Sequence, residues 1–453
     1  MRGLLPLGLL GLLACDTAAS PVNLTASASL AELQPAVFRV QWKGAGEGAS
    51  VVAEWGYDED YGQRVALGEG DEGEGIVLGA HPSATVHWRV VTGEGAATDD
   101  QTIETGELPV TIRSFEVTES GDALSGLVLT STLDNQRADA VMVDLTGTPV
   151  WWLASDGPKQ GFSDVRAAAD GKGVIYQVTD PKLETDIGTI IERDWAGEVR
   201  AETPTPGGHH AFVELPDDHY GYCMIDVRET TVDGELRMVV GDAIAEIPVG
   251  GDPATDLHVI WDSWDALPMR AAVAGDSGFY SFGLDWIHCN GLSYDADTGK
   301  YLMSSYSLGS VFQVDRATGA TDWVLGGEDA TLTLPEGLRV GTIHSPERTA
   351  DGVRVFNNRN VDSPHSRVVT WKVDEAASTA AEGEAIDLDG EYFSQILGDA
   401  TDLPDDHLLI SWGSSGLLTE VDAERNVVWE ASLPLGVIVG FSGVLPSIPG
   451  AVE

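Results

Sequence analysis

Four of the ten histidines occur in local contexts that could support chemistry. His209 and His210 form an adjacent pair after a Pro-Gly-Gly turn. His288 is followed two positions later by Asn290, and His344 stands alone. Residues two apart in a strand share a face, so His288 and Asn290 are expected to point the same way. A neutral imidazole can act as a nucleophile or carry a proton, which makes these residues candidates for group transfer; polar pairs satisfied within a core are the alternative.

A degenerate repeat predicts the elements that must bring these histidines together. From about residue 113, an apolar strand, a turn and a further strand, often with a Trp, recur with anchors ending at residues 151, 200, 261, 323, 381 and 429. Intervals of this size are typical of four-stranded propeller blades. Residues 113–453 are therefore predicted to form a six-bladed β-propeller, whose inner strands would direct distant side chains into one central channel.

The preceding segment, residues 21–112, has the alternating apolar and polar pattern of short β-strands separated by Gly-rich or acidic turns. Within it, His81 to Val91 (HPSATVHWRVV) resembles a strand of fibronectin type III domains. We expect a small β-sandwich of that type, and an all-β protein overall.

The first fifteen residues predict export. Arg2 precedes a short apolar run that is too brief for a membrane span, as in signal peptides. The run ends Leu-Leu-Ala-Cys, which resembles a bacterial lipobox, so Cys15 is the predicted lipidation site; an ordinary signal cleaved a few residues later is the alternative. The expected location is periplasmic or at the cell surface, tethered by lipid. Cys223 and Cys289 are the remaining cysteines, and one disulfide between them is possible.

Charge and composition exclude several functions. With 25 basic and 73 acidic residues the formal charge is −48, which would repel nucleic acid phosphates. An apolar content of 43% is enough for a sizeable core and excludes general disorder. The Asp295–Gly299 segment is interpreted as a hairpin turn because it lacks the full ligand spacing of a calcium loop. No metal or other cofactor is predicted, and zinc held by the histidines is a minor alternative.

The segment Asp285–Gly327, with its D-W-x-H-x-N and W-x-L-G-G sequences, resembles the signature of the bacterial arylsulfate sulfotransferase family. Weaker similarity continues to residue 434. The resemblance implies an exported six-bladed propeller behind a β-sandwich. It also implies transfer of a sulfuryl group from a phenolic sulfate ester to a phenol through a sulfated histidine, without a phosphoadenosine donor. The implied partners are therefore a small phenolic donor and a small phenolic acceptor.

Carried over by resemblance, the roles fall on the candidates above. His344 would be the nucleophile, and His288 and Asn290 would donate hydrogen bonds to the sulfuryl oxygens. His210 would donate a proton to the leaving phenoxide, with His209 beside it in contact with substrate. Which member of this pair faces the site is left open.

The sequence departs from the family pattern at two points. Tyr306 follows two serines where the family has an arginine, so Tyr306 and Arg367 are taken as substrate-binding candidates, with Arg359 as another possible cation. Ala211 and Ser345 follow the histidines where the family has acidic residues. Two alternatives therefore stand beside the transferase: a catalytically degenerate propeller that binds or scaffolds, and a sulfate-ester hydrolase. The oligomeric state is not predicted.

Overall fold

The computed structural model describes residues 23–124, 126–134, 137–155, 161–180, 188–269, 280–359, 365–445 and 449–450. Over these ranges the chain forms eight sheets, almost entirely antiparallel. The short helical segments are Pro253–Asp256, Ser263–Ala266, Leu388–Gly390, Pro404–Asp406 and Gly413–Ser415. Among the described residues, no helix has the length and apolar character needed to cross a membrane. The predicted signal peptide and Cys15 lie outside the described residues.

The N-terminal strands form two packed sheets. Their bounds are β1 (Thr25–Leu30), β2 (Phe38–Lys43), β3 (Ser50–Gly56), β4 (Gln63–Glu69), β5 (Glu72–Val77), β6 (Thr85–Thr92) and β7 (Gln101–Glu104). One sheet has the order β1-β2-β5 and the other β4-β3-β6-β7. Alternate residues of both sheets, including Trp42, Trp55 and Trp88, are buried in one common core.

The rest of the chain forms six further sheets. After β8 (Glu116–Ser120), the first sheet contains β9 (Leu127–Leu133), β10 (Ala138–Asp144) and β11 (Pro149–Leu153). The second contains β12 (Gly161–Ala167), β13 (Gly173–Thr179), β14 (Thr189–Asp194) and β15 (Val199–Pro204). The third contains β16 (Gly208–Leu215), β17 (His219–Val232), β18 (Glu235–Pro248), β19 (His258–Asp262) and β20 (Leu284–Asp285). The fourth sheet contains β21 (Cys289–Asp295), β22 (Lys300–Ser305), β23 (Ser310–Asp315) and β24 (Thr321–Leu325). The fifth contains β25 (Thr342–Thr349), β26 (Gly352–Arg359), β27 (Arg367–Asp374) and β28 (Thr379–Ile386). The sixth contains β29 (Asp399–Asp402), β30 (Leu408–Ser411), β31 (Leu417–Val421) and β32 (Val427–Ser432). The last strand is β33 (Ile438–Leu445).

These six sheets close into a ring. Strand β33 pairs with β9 and completes the first sheet, while β8 pairs with β32 and completes the last. We call β12, β16, β21, β25, β29 and β33 the inner strands. Each of them contacts the next, and β33 contacts both β29 and β12. The two ends of the ring segment are therefore joined by strands taken from opposite ends of the sequence.

The sequence repeat matches the sheet order. Its six anchors end in β11, β15, β19, β24, β28 and β32, each in a different sheet. In every case the anchor lies three strands away from the inner strand. The predicted all-β fold class is confirmed.

The N-terminal sheets pack against the first sheet of the ring. The Gln34 side chain donates to the Trp152 carbonyl at 2.7 Å and accepts from its N–H at 3.4 Å. The His81 ring bonds Asp144 at 2.7 Å, and Val37 is buried in a cluster with Trp151. These buried contacts fix the two parts of the molecule to each other.

A disulfide joins the third and fourth sheets of the ring. Cys223 lies in β17 and Cys289 begins β21, and their Cα atoms are 6.1 Å apart. The sequence left this pairing open. Because its sulfur is in the disulfide, Cys289 is not available as a thiolate beside His288.

Candidate functional site

Interruptions in three inner strands position the histidines. The ladder between β16 and β17 breaks between Gly208 and Phe212, around His209 and His210. The ladder between β25 and β26 likewise breaks immediately after His344. A β-bulge breaks the regular alternation of side chains and re-aims the residue that carries it. Without this break, regular pairing of β16 would place the adjacent side chains of His209 and His210 on opposite faces of the strand.

Backbone conformation at the site differs from the simple alternation expected of His288 and Asn290. His288 precedes β21 and has a φ of 54°, while Asn290 lies in a register break between Cys289 and Gly291. His210 also has a positive φ, of 57°. Left-handed backbone costs a non-glycine residue about 1–2 kcal/mol, and such strain is common at functional sites.

The four histidines form one cluster. The ring centroids of His210 and His288 are 4.7 Å apart, and those of His209 and His210 are 4.9 Å apart. Tyr306 joins His344 to this group, because its ring lies 5.8 Å from His288 and 6.2 Å from His344. We call His209, His210, His288 and His344 the histidine cluster. The structure therefore brings together residues that are more than a hundred positions apart in the chain.

A buried carboxylate orients the histidine pair. Asp242 Oδ1 lies 2.8 Å from His209 Nε2, and His209 Nδ1 lies 2.7 Å from His210 Nδ1. An ionised carboxylate only accepts hydrogen bonds, so His209 donates from Nε2 to Asp242, and in the neutral tautomer of His209 the Nδ1 atom accepts. His210 therefore donates from Nδ1 and leaves its Nε2 unprotonated. His210 is the member closer to the other rings, because its centroid lies 4.7 Å from that of His288, against 6.5 Å for His209.

A second carboxylate orients His288. Asp285, three positions earlier in the sequence, accepts from His288 Nδ1 at 2.6 Å. Burial raises the pKa of the Asp285 carboxyl, while the bond from His288 acts in the opposite direction. The other oxygen of Asp242 accepts the Cys289 N–H at 2.8 Å. This one carboxylate thus links the His209 side to the His288 side of the cluster.

An amide rather than a carboxylate orients His344. Asn358 donates from Nδ2 to the Ser394 and Leu397 carbonyls, so its Oδ1 accepts from His344 Nδ1 at 2.6 Å. His344 Nε2 is then the acceptor, and it receives the Leu397 N–H at 3.2 Å. Burial lowers the pKa of His344 from 6.5 to about 4. The ring is neutral at ordinary pH, with its lone pair on Nε2.

The imidazoles of the histidine cluster lie close enough to affect the pKa of His210. Burial lowers the pKa of His210 well below 6.5, and the neighbouring His288, His209 and His344 lower it further. A proton at this position would lie in a weakly solvating site among other rings that can also become charged. Over the described part of the chain, no three His, Cys, Asp or Glu side chains are arranged to hold a metal ion.

Two predicted substrate contacts are engaged elsewhere. Asn290 donates to the Ile343 carbonyl at 2.7 Å and accepts from Ser304 at 2.6 Å, so its amide connects β21 to the residue before His344. Arg367 lies in β27 and makes a bidentate ion pair with Glu382 at 2.8 and 2.9 Å. These contacts favour positioning roles, and the structure does not place Arg367 with the histidines.

Sequence reasoning missed three residues that orient the histidines and one phenol that packs beside them. Asp285 lies in the D-W-x-H sequence, and Asn358 lies in the region of weaker similarity to the family. Neither residue was assigned a role from the sequence. Asp242 had no local signal, because strand pairing alone brings it to His209. Tyr280 is 6% exposed, its ring lies 5.9 Å from His288, and its hydroxyl has no hydrogen-bond partner among the described residues. Burial and the charges of Asp242 and Asp285 raise the pKa of this phenol well above 10.

A cavity of about 470 Å³ is lined mainly by residues of the inner strands, and none of the described residues on its wall belongs to the histidine cluster. Its wall includes Ala211, Gly291 and Ser345, which directly follow His210, Asn290 and His344 in the sequence. Strands β12, β29 and β33 supply the other side, so the cavity lies inside the ring. We call it the axial cavity.

Charged side chains line the axial cavity. Asp164 and Arg166 form a bidentate pair at 2.9 Å, and Arg354 pairs with Asp402. Two further carboxyls of this wall are those of Glu347 on β25 and Asp399 on β29, and burial raises the pKa of Glu347 from 4.5 to about 7. Asp399 and Asp402 raise that pKa further, whereas Arg166 and Arg354 oppose the shift.

Fold and site together define a class: an all-β protein whose sheets form a closed ring, with buried and individually oriented histidines near the beginnings of its inner strands. The model of the Arylsulfotransferase (ASST) family matches residues 116–433, and the chain belongs to that family. The match begins with β8 and ends just after β32. The individual roles predicted for the histidines, Asn290, Tyr306 and Arg367 stay predictions.

Similar solved structures share little sequence with this chain. A protein of unknown function from Bacteroides caccae is 13% identical, with a TM-score of 0.40, covering 68% of this chain and 93% of its own. The β-propeller domain of Cps50 (Swd1) from Myceliophteria thermophila is 12% identical, with a TM-score of 0.36 and coverages of 71% and 99%. An auxiliary nutrient binding protein from Bacteroides ovatus is 9% identical, with a TM-score of 0.39 and coverages of 88% and 86%. No curated protein matches this chain.

Proposed function

We propose that this protein transfers a sulfuryl group from a phenolic sulfate ester to a phenol, with His344 as the transient carrier. The observation that carries the proposal is the gathering of three imidazoles, each oriented by its own acceptor, within a member of the arylsulfotransferase family. Dividing one transfer into two steps through a covalent histidine lowers the barrier of each step.

In the first half-reaction, His344 Nε2 attacks the donor sulfur and the bond from sulfur to the aryl oxygen breaks. The Nε2 lone pair must first release the Leu397 N–H. A hydrogen bond of that kind contributes about 1 kcal/mol net, which is small against a chemical barrier. Asn358 holds Nδ1 throughout and keeps the attacking nitrogen in place.

The other histidines manage protons and charge. The unprotonated Nε2 of His210 removes the proton from the acceptor phenol and returns it to the next leaving phenoxide. His288, when protonated at Nε2, donates to the sulfuryl oxygens while Asp285 offsets its charge. The ion pair of His288 with Asp285 partly replaces the arginine that the family has at the position of Tyr306.

The axial cavity is the proposed place for the neutral acceptor. Its volume of about 470 Å³ lies in the range of small-molecule sites, about 300–1,000 Å³. Acidic side chains on its wall disfavour an anionic ester but tolerate a neutral phenol. Asn290 serves as a positioning residue, since it ties β21 to the carbonyl before His344.

For the architecture, we propose that the six ring sheets are the blades of a β-propeller spanning residues 113–453. The contact of each inner strand with the next supports this assignment. Residues 21–112 are proposed to be a fibronectin type III-like sandwich. Residues 1–15 are proposed to be a lipoprotein signal that exports the chain and leaves it anchored through Cys15.

The central experiment measures release of para-nitrophenol from para-nitrophenyl sulfate in the presence of phenol. His344→Ala should lower the rate by about 10³-fold or more, as expected for loss of a covalent nucleophile. His258→Ala is the matched control, because His258 is exposed in β19 outside the cluster. Equal rates in wild type and His344→Ala would exclude His344 as the carrier, and release that is independent of phenol would indicate a hydrolase.

A binding or scaffolding function is the second candidate, favoured by Tyr306 in place of a cation and by the Leu397 N–H on the proposed nucleophile. Tyr306→Arg separates the two functions. If only the cation limits catalysis, the rate should rise by up to about 10²-fold, the usual effect of one oxyanion donor. A folded but inert Tyr306→Arg protein that binds phenols would support the binding function.

A further inference from the structure

Tyr306 places a phenol inside the histidine cluster. It directly follows β22, and its N–H donates to the His288 carbonyl at 3.0 Å. Its half-buried ring meets His288 and His344 edge to face, at interplanar angles of 70° and 67°. The side chain therefore lies between the proposed carrier and the ring proposed to bind the sulfuryl oxygens.

The side chain of tyrosine belongs to the chemical class of the acceptor. Tyrosine is a para-alkylphenol whose oxygen becomes nucleophilic when its proton is removed. Held beside His344, it has the advantage of proximity that a free phenol must gain by binding. A cation at this position would bind sulfate, whereas a phenol can receive the sulfuryl group.

We propose that Tyr306 is an internal sulfuryl acceptor, which becomes a tyrosine O-sulfate when no external phenol is present. This inference rests on the proposed transferase function. The bond from His344 Nε2 to sulfur breaks, a bond from sulfur to Tyr306 Oη forms, and the phenolic proton passes to His210. Overall, an aryl sulfate and Tyr306 give a phenol and the Tyr306 sulfate ester, with no change of oxidation state.

The modification would be reversible and would regulate the site. One aryl sulfate replaces another, so the sulfuryl group can return from Tyr306 to His344 and pass to an external phenol. While it remains on Tyr306, its negative charge lies between His288 and His344 and repels a second anionic donor. The protein then accepts new donor only when an acceptor has cleared the site.

Tyr280 provides the matched control. Its ring also contacts His288, at 5.9 Å, but it stacks on Phe282 and is almost fully buried. Its raised pKa keeps the proton on its hydroxyl. Tyr280→Phe should therefore leave the modification of Tyr306 unchanged.

The experiment incubates the protein with para-nitrophenyl sulfate alone and measures its mass and peptide fragments. We expect an SO₃ group on Tyr306, approaching one per chain, which is retained by Tyr280→Phe and lost on adding phenol, whereas Tyr306→Phe should carry the group only on His344. Location of the group on Tyr280, or on a histidine alone, would overturn the inference.

Wild-type turnover with external phenol separates this inference from the function on which it rests. Normal transfer to phenol with an unmodified Tyr306 would refute the internal acceptor and leave the transferase intact. Absence of both transfer and modification would refute both.

Discussion

Individual histidines in this protein are oriented by acceptor side chains that hold one ring nitrogen of each. Asp242, Asp285 and Asn358 each accept from one imidazole and thereby determine which ring nitrogen carries the proton. A histidine without such a partner exchanges tautomers, and only one tautomer has its lone pair at the nitrogen that must react. Proton placement is therefore built into the ground state, before substrate binds.

Asp242→Asn tests this at a single residue. Asp242 accepts from both His209 Nε2 and the Cys289 N–H. An asparagine has one oxygen, so either orientation directs an NH₂ group at one of these donors. We expect a loss of about 1–3 kcal/mol in unfolding free energy and about 10²-fold in the proton-transfer step. Urea unfolding and the pH–rate profile measure the two effects.

The control for Asp242→Asn is Asp297→Asn, because Asp297 is exposed in a turn. The relay from Asp242 to His210 would be refuted by a variant that keeps the wild-type pH profile and rate.

Two buried groups predict opposite effects of pH on stability. The His344 pKa is about 4 instead of 6.5, so between these values the unfolded chain binds more protons and stability falls as pH falls. The Glu347 pKa is about 7 instead of 4.5, so there the folded chain binds more protons and stability falls as pH rises. Each difference corresponds to ~3 kcal/mol.

Glu347→Gln isolates one of these effects. The variant should match wild type near pH 4.5 and become more stable than wild type by up to ~3 kcal/mol as pH rises to 7. Chemical unfolding at several pH values measures the difference. His344→Asn should change in the opposite direction, with its destabilisation relative to wild type shrinking as pH falls from 6.5 to 4. A pH-independent difference for either variant would contradict the assigned protonation.

At the scale of elements, the inner strands approach so closely that one position requires glycine. A Cβ at Gly291 of β21 would lie 2.7 Å from the Ser345 nitrogen and 2.7 Å from Pro346 Cδ. These atoms belong to β25, the strand that carries His344. The spacing of the two strands therefore determines where the proposed carrier lies.

Gly291→Ala should force these strands apart. We expect a loss of about 1–3 kcal/mol in stability, as for overpacked cores, together with lower turnover. Gly443→Ala in β33 is the matched control, since a Cβ there meets nothing within 4 Å. Thermal unfolding of both variants checks the comparison, and equal melting temperatures would contradict the close approach.

Element order could be predicted from the sequence, but the finer geometry of the site could not. The Trp-bearing repeat located one strand of every ring sheet, because an apolar strand followed by a turn is a local pattern. The bulges at His210 and Asn290 arise from contacts between strands and have no local signal. For the same reason the hydrogen bond between Asp242 and His209 could not be predicted, although His209 and His210 were both predicted as site residues.

At the scale of the whole molecule, closure of the ring and one covalent link hold the cluster together. The disulfide between Cys223 and Cys289 spans a sequence separation of 66 residues, adjacent to His288. Closing a loop of that length removes entropy from the unfolded chain equivalent to about 4 kcal/mol in the chain-entropy description. The link also connects two ring sheets that each contribute histidines.

Reduction should therefore lower the stability of the whole ring. We expect wild type to lose up to about 4 kcal/mol in reductant, measured by chemical unfolding with and without dithiothreitol. The double variant Cys223→Ala, Cys289→Ala should already be destabilised and should not respond to reductant. An equal response of both proteins to reductant would show that the disulfide is not the cause.

Closure by β33 also means that the ring can be completed only after the last strand has been synthesised. Strand β9 leaves the ribosome early, yet the partner for its open edge is made after every other strand of the ring. Throughout that interval β9 exposes unpaired backbone groups that can capture a strand from another nascent copy. Conditions that delay closure by β33 should therefore increase aggregation of this protein, and a chaperone that shields β9 should relieve it.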